Sequence, residues 1–259
     1  DALLLVTPAQ HTRQVTGDLN HCLAPGIPVV VCAKGIESGS SALMTEVLAE
    51  TLPQAPLAVL SGPSFAAEVA RDLPTAVTLA AADMALAERL ALMLGSAHFR
   101  PYHGDDPVGA QIGGAVKNVM AIACGIAKGR GLGDNTGAAL ITRGLAEMAR
   151  LGAALGARRE TLMGLSGLGD LVLTCSHEQS RNFSLGMAIG QGTTLHDYLA
   201  ERRTVAEGVA SAASTAALAG RHGVAMPITE AVDAVLNRNA DIDLAVAALL
   251  ARPAAPELG

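Results

Sequence analysis

Lys117 is the residue that most needs a chemical reason. It stands in GGAVKNVMAIACGIAKGRG (113–131) with Asn118 beside it, and from Pro107 to Ala127 no other side chain is charged. A lysine placed mid-helix among apolar residues is costly unless it is paired or has given up its proton. Desolvation lowers its pKa, which suits it to proton transfer near neutral pH. The competing reading is a lysine that snorkels out of the helix.

Four other stretches could carry chemistry. In AKGIE (33–37), Lys34 directly follows the apolar run VVVCA and puts an ammonium at the carboxyl edge of a strand. An ordinary solvated turn lysine would have the same sequence. In SGPSFAAEVA (61–70), Ser64 opens a helical pattern, where a helix N-terminus favours an anion. Simple capping by Ser64 is the reading that the spacing alone favours. In GLSGLGDLVLTC (164–175), Asp170 and Thr174 are four apart and share a face if the segment is helical. Gly167 and Gly169 would let backbones approach, and an acid near Lys117 would hold it and tune its pKa. Asp170 as a helix cap is the alternative. In HEQSRNFSLG (177–186), Ser180, Arg181 and Asn182 open a helix. A guanidinium fork beside free helix amides suits a phosphate, and a surface arginine behind a serine cap is the plainer reading. GRGLGDN (129–135) follows a helix and lacks GK[ST], so it is no P-loop. The seven histidines form no HxxxH or HExxH, and no metal site is expected.

These residues need elements to hold them. Residues 1–105 alternate apolar strand runs (2–6, 27–33, 56–60, 75–81, 98–102) with helical patterns such as 41–52 and 83–94. That alternation predicts βαβ units and a mostly parallel sheet, whose ligands bind beyond the carboxyl ends of the strands. From Asp106 the pattern turns helical, with predicted helices over 108–128, 136–155, 206–222, 227–237 and 241–251. The expected fold class is therefore α/β: a partial parallel-sheet domain over 1–105 and an all-helical domain over 106–259. The tail ARPAAPELG reads as a frayed end.

Composition narrows the function. Half of the 259 residues are hydrophobic, 16% are charged, and aromatics amount to three Phe and two Tyr. The core must be built from small aliphatic side chains, which favours close helix packing. A net charge of −6 argues against a nucleic-acid partner. No uninterrupted apolar run reaches the roughly 18 residues of a membrane span. Cys22, Cys32, Cys124 and Cys175 show neither CxxC nor zinc spacing and read as reduced thiols of a cytoplasmic protein. The chain opens on an apolar strand without an initiator Met, and a preceding segment is expected.

Taken together, AKGIE, SGPSFAAEVA, the block GGAVKNVMAIACGIAKGRGLGDNTGAALITRGLAEM, GLGDLVLTC and QSRN resemble the motif series of bacterial NAD(P)-dependent glycerol-3-phosphate dehydrogenases. Order and spacing match over nearly the whole chain. The resemblance implies a Rossmann-like cofactor domain followed by a helical domain, with the active site between them. It implies the interconversion of dihydroxyacetone phosphate and sn-glycerol 3-phosphate with NAD or NADP, feeding glycerophospholipid synthesis, and a homodimer. Lys117 would be the proton donor and acceptor, with Asn118, Asp170 and Thr174 completing its surroundings. Lys34 would contact substrate and nicotinamide. Gly62, Ser64, Ser180, Arg181 and Asn182 would line the substrate, the last two holding its phosphate. Ala66, Arg181, Val205 and Glu207 would contact the cofactor. One departure stands out: the family's GxGxxG turn, which holds the pyrophosphate, is not in this sequence. The chain as it stands is therefore expected to bind cofactor poorly. Two other readings compete. One is a reductase of the same plan acting on a keto or hydroxy acid. The other is a noncatalytic remnant, which would have no need of a buried lysine.

Overall fold

The computed structural model describes residues 1–200 and 207–253. Five strands form one sheet in the order β1 (Leu3–Leu5), β2 (Val29–Val31), β3 (Leu57–Ser61), β4 (Thr75–Ala80) and β5 (Phe99–Gly104). Every predicted strand is present within a few residues. Neighbours run parallel except β3 and β4, which are antiparallel. Leu5 pairs with Val31, and Val31 with Val59, so the carboxyl ends of β1, β2 and β3 lie along one edge.

The all-valine β2 shows why these strands lack alternation. Val29 and Val31 pack under α1 (Thr12–Leu19) and α2 (Met44–Thr51), whereas Val30 packs on the other face against α4 (Met84–Leu94). A strand covered on both faces reads as continuous apolar sequence. Helix α1 has no counterpart in the sequence reading. Its TRQVTGDL offers only Val15 and Leu19 to the sheet, too few for a visible helical period. The short α3 (Ala66–Val69) joins β3 to β4.

No strand follows β5 among the described residues. The helices are α5 (Pro107–Gly129), α6 (Asp134–Ala154), α7 (Arg159–Leu162), α8 (Asp170–Ser176), α9 (Arg181–Gly190), α10 (Leu195–Ala200), α11 (Glu207–Arg221), α12 (Pro227–Asn237) and α13 (Ile242–Leu250). The Asp106 carboxylate caps α5 by accepting from the Gly109 amide at 2.8 Å, and Pro107 occupies the first turn, where its missing N–H costs nothing. Helix α5 is buried from Gly109 to Ala127. It alone among the described residues is long and apolar enough to cross a membrane, and its apolar stretch is buried in the rest of the fold.

Enclosure on all sides demands small residues. Gly125 and Gly129 on α5 face Gly186 and Gly190 on α9. A Cβ on Gly186 would lie 2.1 Å from the Ile122 carbonyl oxygen, and one on Gly125 would lie 2.1 Å from that of Phe183. The two backbones touch, so both glycine pairs are steric requirements.

Candidate active site

Three elements converge on one carboxylate. Lys34 leaves the carboxyl end of β2, Lys117 projects from the middle of α5, and Asp170 is the first residue of α8. Lys117 Nζ donates to Asp170 Oδ1 at 2.6 Å, and Lys34 Nζ donates to Oδ2 at 2.7 Å. Asp170 is 0% exposed and Lys117 7%. Lys117 Nζ also donates to Thr174 Oγ1 at 2.9 Å, and that hydroxyl donates to Asp170 Oδ1 at 3.2 Å. Lys34 Nζ makes a second bond, 2.7 Å, to the carbonyl of Gly62.

Local backbone chemistry aims these groups. A π-helical turn, Leu165–Gly169, precedes α8. Such turns often redirect side chains at functional sites. Here Gly167 lies so close to α7 that a Cβ would sit 2.0 Å from the Leu162 carbonyl oxygen. Gly62 adopts φ +144°, and a Cβ there would crowd the Val77 backbone at 3.0 Å, so its carbonyl can turn toward Lys34. Gly114 lets the Lys34 stem lie on α5, since a Cβ would stand 3.3 Å from Lys34 Cγ and 2.9 Å from Ser61 Oγ. The sequence reading did not single out Gly114. Its signal was the paired glycine 113–114 inside a helical run.

Two alternatives from sequence fall away. Lys117 does not snorkel, since its ammonium points inward onto Asp170. Asp170 does not cap α8, whose N-cap is Gly169 with no side-chain cap bond. Capping by Ser64 is also corrected. Helix α3 begins only at Ala66, its N-cap is Phe65, and Ser64 Oγ donates to the Gly62 carbonyl at 3.1 Å. The Ser-Gly-Pro-Ser turn runs one residue further than spacing implies. Ser180 does cap α9, its Oγ accepting from the Phe183 amide at 3.2 Å.

Around this core, Asn118 donates to the Lys34 carbonyl at 3.0 Å, and Asn182 donates to Asn118 Oδ1 at 2.9 Å. Asn182 Oδ1 accepts from the Gly208 amide at 3.0 Å, so both ends of its side chain are engaged. Arg181 is exposed, and its guanidinium makes no hydrogen bond or ion pair with a described residue. Glu207 opens α11 and accepts from the Ala9 amide at 3.2 Å. Ala66 is exposed at the start of α3. Val205 lies outside the described residues.

The electrostatics follow from burial. Desolvation, reinforced by the charge of Lys34, pushes the Lys117 pKa down to about 8 against the opposing pull of Asp170. Burial raises the Glu207 carboxyl, and the charges of Arg181, Lys117 and Lys34 oppose the rise. Two ammonium groups on one carboxylate leave a buried excess of positive charge, suited to a developing oxyanion.

Comparison with known proteins fits this geometry. Residues 1–87 match the family profile "NAD-dependent glycerol-3-phosphate dehydrogenase N-terminus", and residues 106–247 match the corresponding C-terminus profile. The glycerol-3-phosphate dehydrogenase (NAD(P)+) of Parvibaculum lavamentivorans is 60% identical over 253 residues, covering 98% of this chain and 76% of that protein. That of Rhodospirillum rubrum is 59% identical over 259 residues, covering 100% of this chain and 74% of that protein. The crystal structure of glycerol-3-phosphate dehydrogenase from Coxiella burnetii superposes with a TM-score of 0.92 at 42% identity, covering 96% of this chain and 76% of that one.

Proposed function

Because this chain belongs to the NAD-dependent glycerol-3-phosphate dehydrogenase family, we propose that its two-lysine site interconverts dihydroxyacetone phosphate and sn-glycerol 3-phosphate with NADH or NADPH. The observation that carries the reading is the pairing of Lys34 and Lys117 on the two oxygens of one buried carboxylate.

The residues present fit the nicotinamide end of the cofactor. Thr7, just past β1, has a buried hydroxyl with no partner among the described residues, and Lys34 stands at the matching end of β2. Both lie at the carboxyl edge of the sheet, where such ligands bind. Arg181, Glu207, Ala66 and Val205 are assigned to the same cofactor. When bound, the reduced nicotinamide supplies a hydride.

Lys117 holds a proton at Nζ beside the place where the ketone oxygen becomes an alkoxide. It delivers that proton to the oxygen in reduction and takes it back in the reverse direction. Lys34 adds a second positive charge at the same oxygen. Asp170 keeps both ammonium groups aimed, and Thr174 and Asn118 hold Lys117 and the Lys34 backbone. The phosphate is assigned to Arg181 and to the α9 amides of Arg181 and Asn182, which make no hydrogen bond among the described residues. Gly62, Ser64 and Ser180 line the remaining wall. The non-reacting phosphate then positions the carbonyl.

The boundary between the two domains is placed at 105/106, between the end of β5 and the start of α5. Four free cysteines support a cytoplasmic location. A second copy packed on α13 is the partner we assign, since that apolar helix has no buried residue. The test follows NADH and NADPH oxidation by the full-length natural protein with dihydroxyacetone phosphate and with dihydroxyacetone. Turnover that needs the phosphate supports the assignment. Equal turnover of both ketones, or turnover only of a keto acid, overturns it.

A further inference from the structure

The face of α11 toward the sheet domain carries Glu207, Ser211, Ser214, Leu218 and Arg221. Their spacing of four, three, four and three puts them in one stripe along the helix. Four of the five meet the first domain in order along the chain. Glu207 accepts from the Ala9 amide at 3.2 Å. Ser211 Oγ lies 3.5 Å from where a Gly35 Cβ would stand, an ordinary contact distance; Ala9 Cβ, at 2.7 Å, is what requires glycine there. Ser214 Oγ is 3.4 Å from Ser38 Oγ. Arg221 Nη1 donates to the Ser40 carbonyl at 2.7 Å, and Nη2 donates to that of Ser41 at 3.0 Å.

All but the first of these contacts fall on one loop, residues 35–41, which begins immediately after Lys34. The loop closes on itself through Glu37 and Ala42 (3.0 Å), and it contains two left-handed residues, Gly39 at φ 85° and Ser41 at φ 54°. Ser41 is not glycine, so its backbone is held where an L-residue is unfavoured. Gln10 grips the near half of the loop from its own domain, through the Ile36 carbonyl and the Ser38 amide. The far half, Ser40 and Ser41, is gripped from the helical domain by the planar fork of Arg221.

We propose that Arg221 is a positioning residue for the reaction: it clamps the Ser40–Ser41 backbone and so fixes the loop that sets Lys34 on Asp170. The inference rests on the functional reading above. It makes α11 a strut with Glu207 at the active site and Arg221 at the distal end of the Lys34 loop. An error of about 1 Å in a group that stabilises the transition state can cost on the order of 100-fold in rate. Lys34 has two hydrogen bonds that resist such drift, so a smaller loss is expected.

The test compares Arg221→Ala, Arg221→Lys and wild type in the full-length protein. Arg221→Ala lowers kcat and kcat/KM together by about tenfold per folded active site, the pattern for a contact that matters in the transition state. Arg221→Lys, which can satisfy one carbonyl at a time, recovers part of the loss. In a Lys34→Ala background, Arg221→Ala costs nothing further, because the residue acts through Lys34. Losses that multiply in the double variant, or unchanged kcat in Arg221→Ala, overturn the proposal. Amide hydrogen exchange gives a second readout that needs no turnover. Residues 38–43 exchange at least about tenfold faster in Arg221→Ala, and unchanged exchange there overturns the clamp. An inactive wild type whose loop still loosens in the variant overturns the functional reading and leaves the clamp standing.

Discussion

Helices α5 and α13 are both mostly apolar and meet opposite fates. Helix α5 is buried from Gly109 to Ala127, lysine included. Helix α13 has no fully buried residue: Ile242 packs only partly on the core, and Leu244 and Leu250 are 72% and 81% exposed. A helix that is apolar all round belongs in an interior. For α5 that interior is its own fold: α9 lies on it through facing glycines, and α8 and α11 flank it. For α13 a second molecule is the proposed cover. Apolar composition thus says that a helix is to be covered and leaves open by what. Inside the covered helix one charge changes its chemistry, because desolvation is what brings Lys117 down to about 8.

Breaking α5 at its charge has the largest expected effect. Lys117→Ala removes the proposed acid and should lower kcat for dihydroxyacetone phosphate reduction by at least about 100-fold. Near-normal turnover would move the proton to another group. Next comes its packing. Gly186→Ala drives a methyl into the Ile122 carbonyl and should cost about 3 kcal/mol, the upper end for overpacking. Gly137→Ala, on α6 with no atom within 4 Å of the new methyl, should instead stabilise by about 0.5 kcal/mol. Urea titration of the two variants measures the contrast.

The pH profile is a gentler probe. Burial brings the Lys117 pKa down to about 8. Reduction needs its protonated form, so kcat/KM for reduction should hold below pH 8 and fall about tenfold per unit above it. Oxidation needs the free amine, so its kcat/KM should rise to that pH and level off. The same inflection in Lys117→Ala would assign it elsewhere. Smallest for turnover is the change on α13. Leu244→Lys with Leu250→Lys should leave kcat within about twofold, as expected for changes remote from the chemistry. The same pair should shift the protein from dimer to monomer in light scattering, and an unchanged mass would move the interface off α13.

Much of the architecture is readable in the chain because its determinants are local. The runs at 27–33 and 227–237 match β2 and α12, and Ser180 caps α9 through a contact three residues away. Turn and cap interactions reach four residues or fewer, so a linear pattern carries them. Helix α1 escaped because two apolar residues make no period, and Ser64 misled because serine favours a cap and a turn alike. The close approach of α5 and α9 also went unread, although glycines four apart stand in both helices.

The candidate site divides along the same line. A lysine in an apolar helix and an acid four residues before a threonine are facts of the linear chain, and they mark Lys117, Asp170 and Thr174. That Lys34 and Lys117 share the two oxygens of Asp170 is a fact of the assembled domains alone, since the contacts join residues 136 and 53 positions apart. So are the engaged side chain of Asn182, the guanidinium of Arg181 without a partner among the described residues, and the reach of Arg221 to Ser40. Local sequence chooses backbone conformation through interactions within a turn. Burial, charge pairing and a lowered pKa depend on what the rest of the chain places within a few ångströms, and only packing settles that.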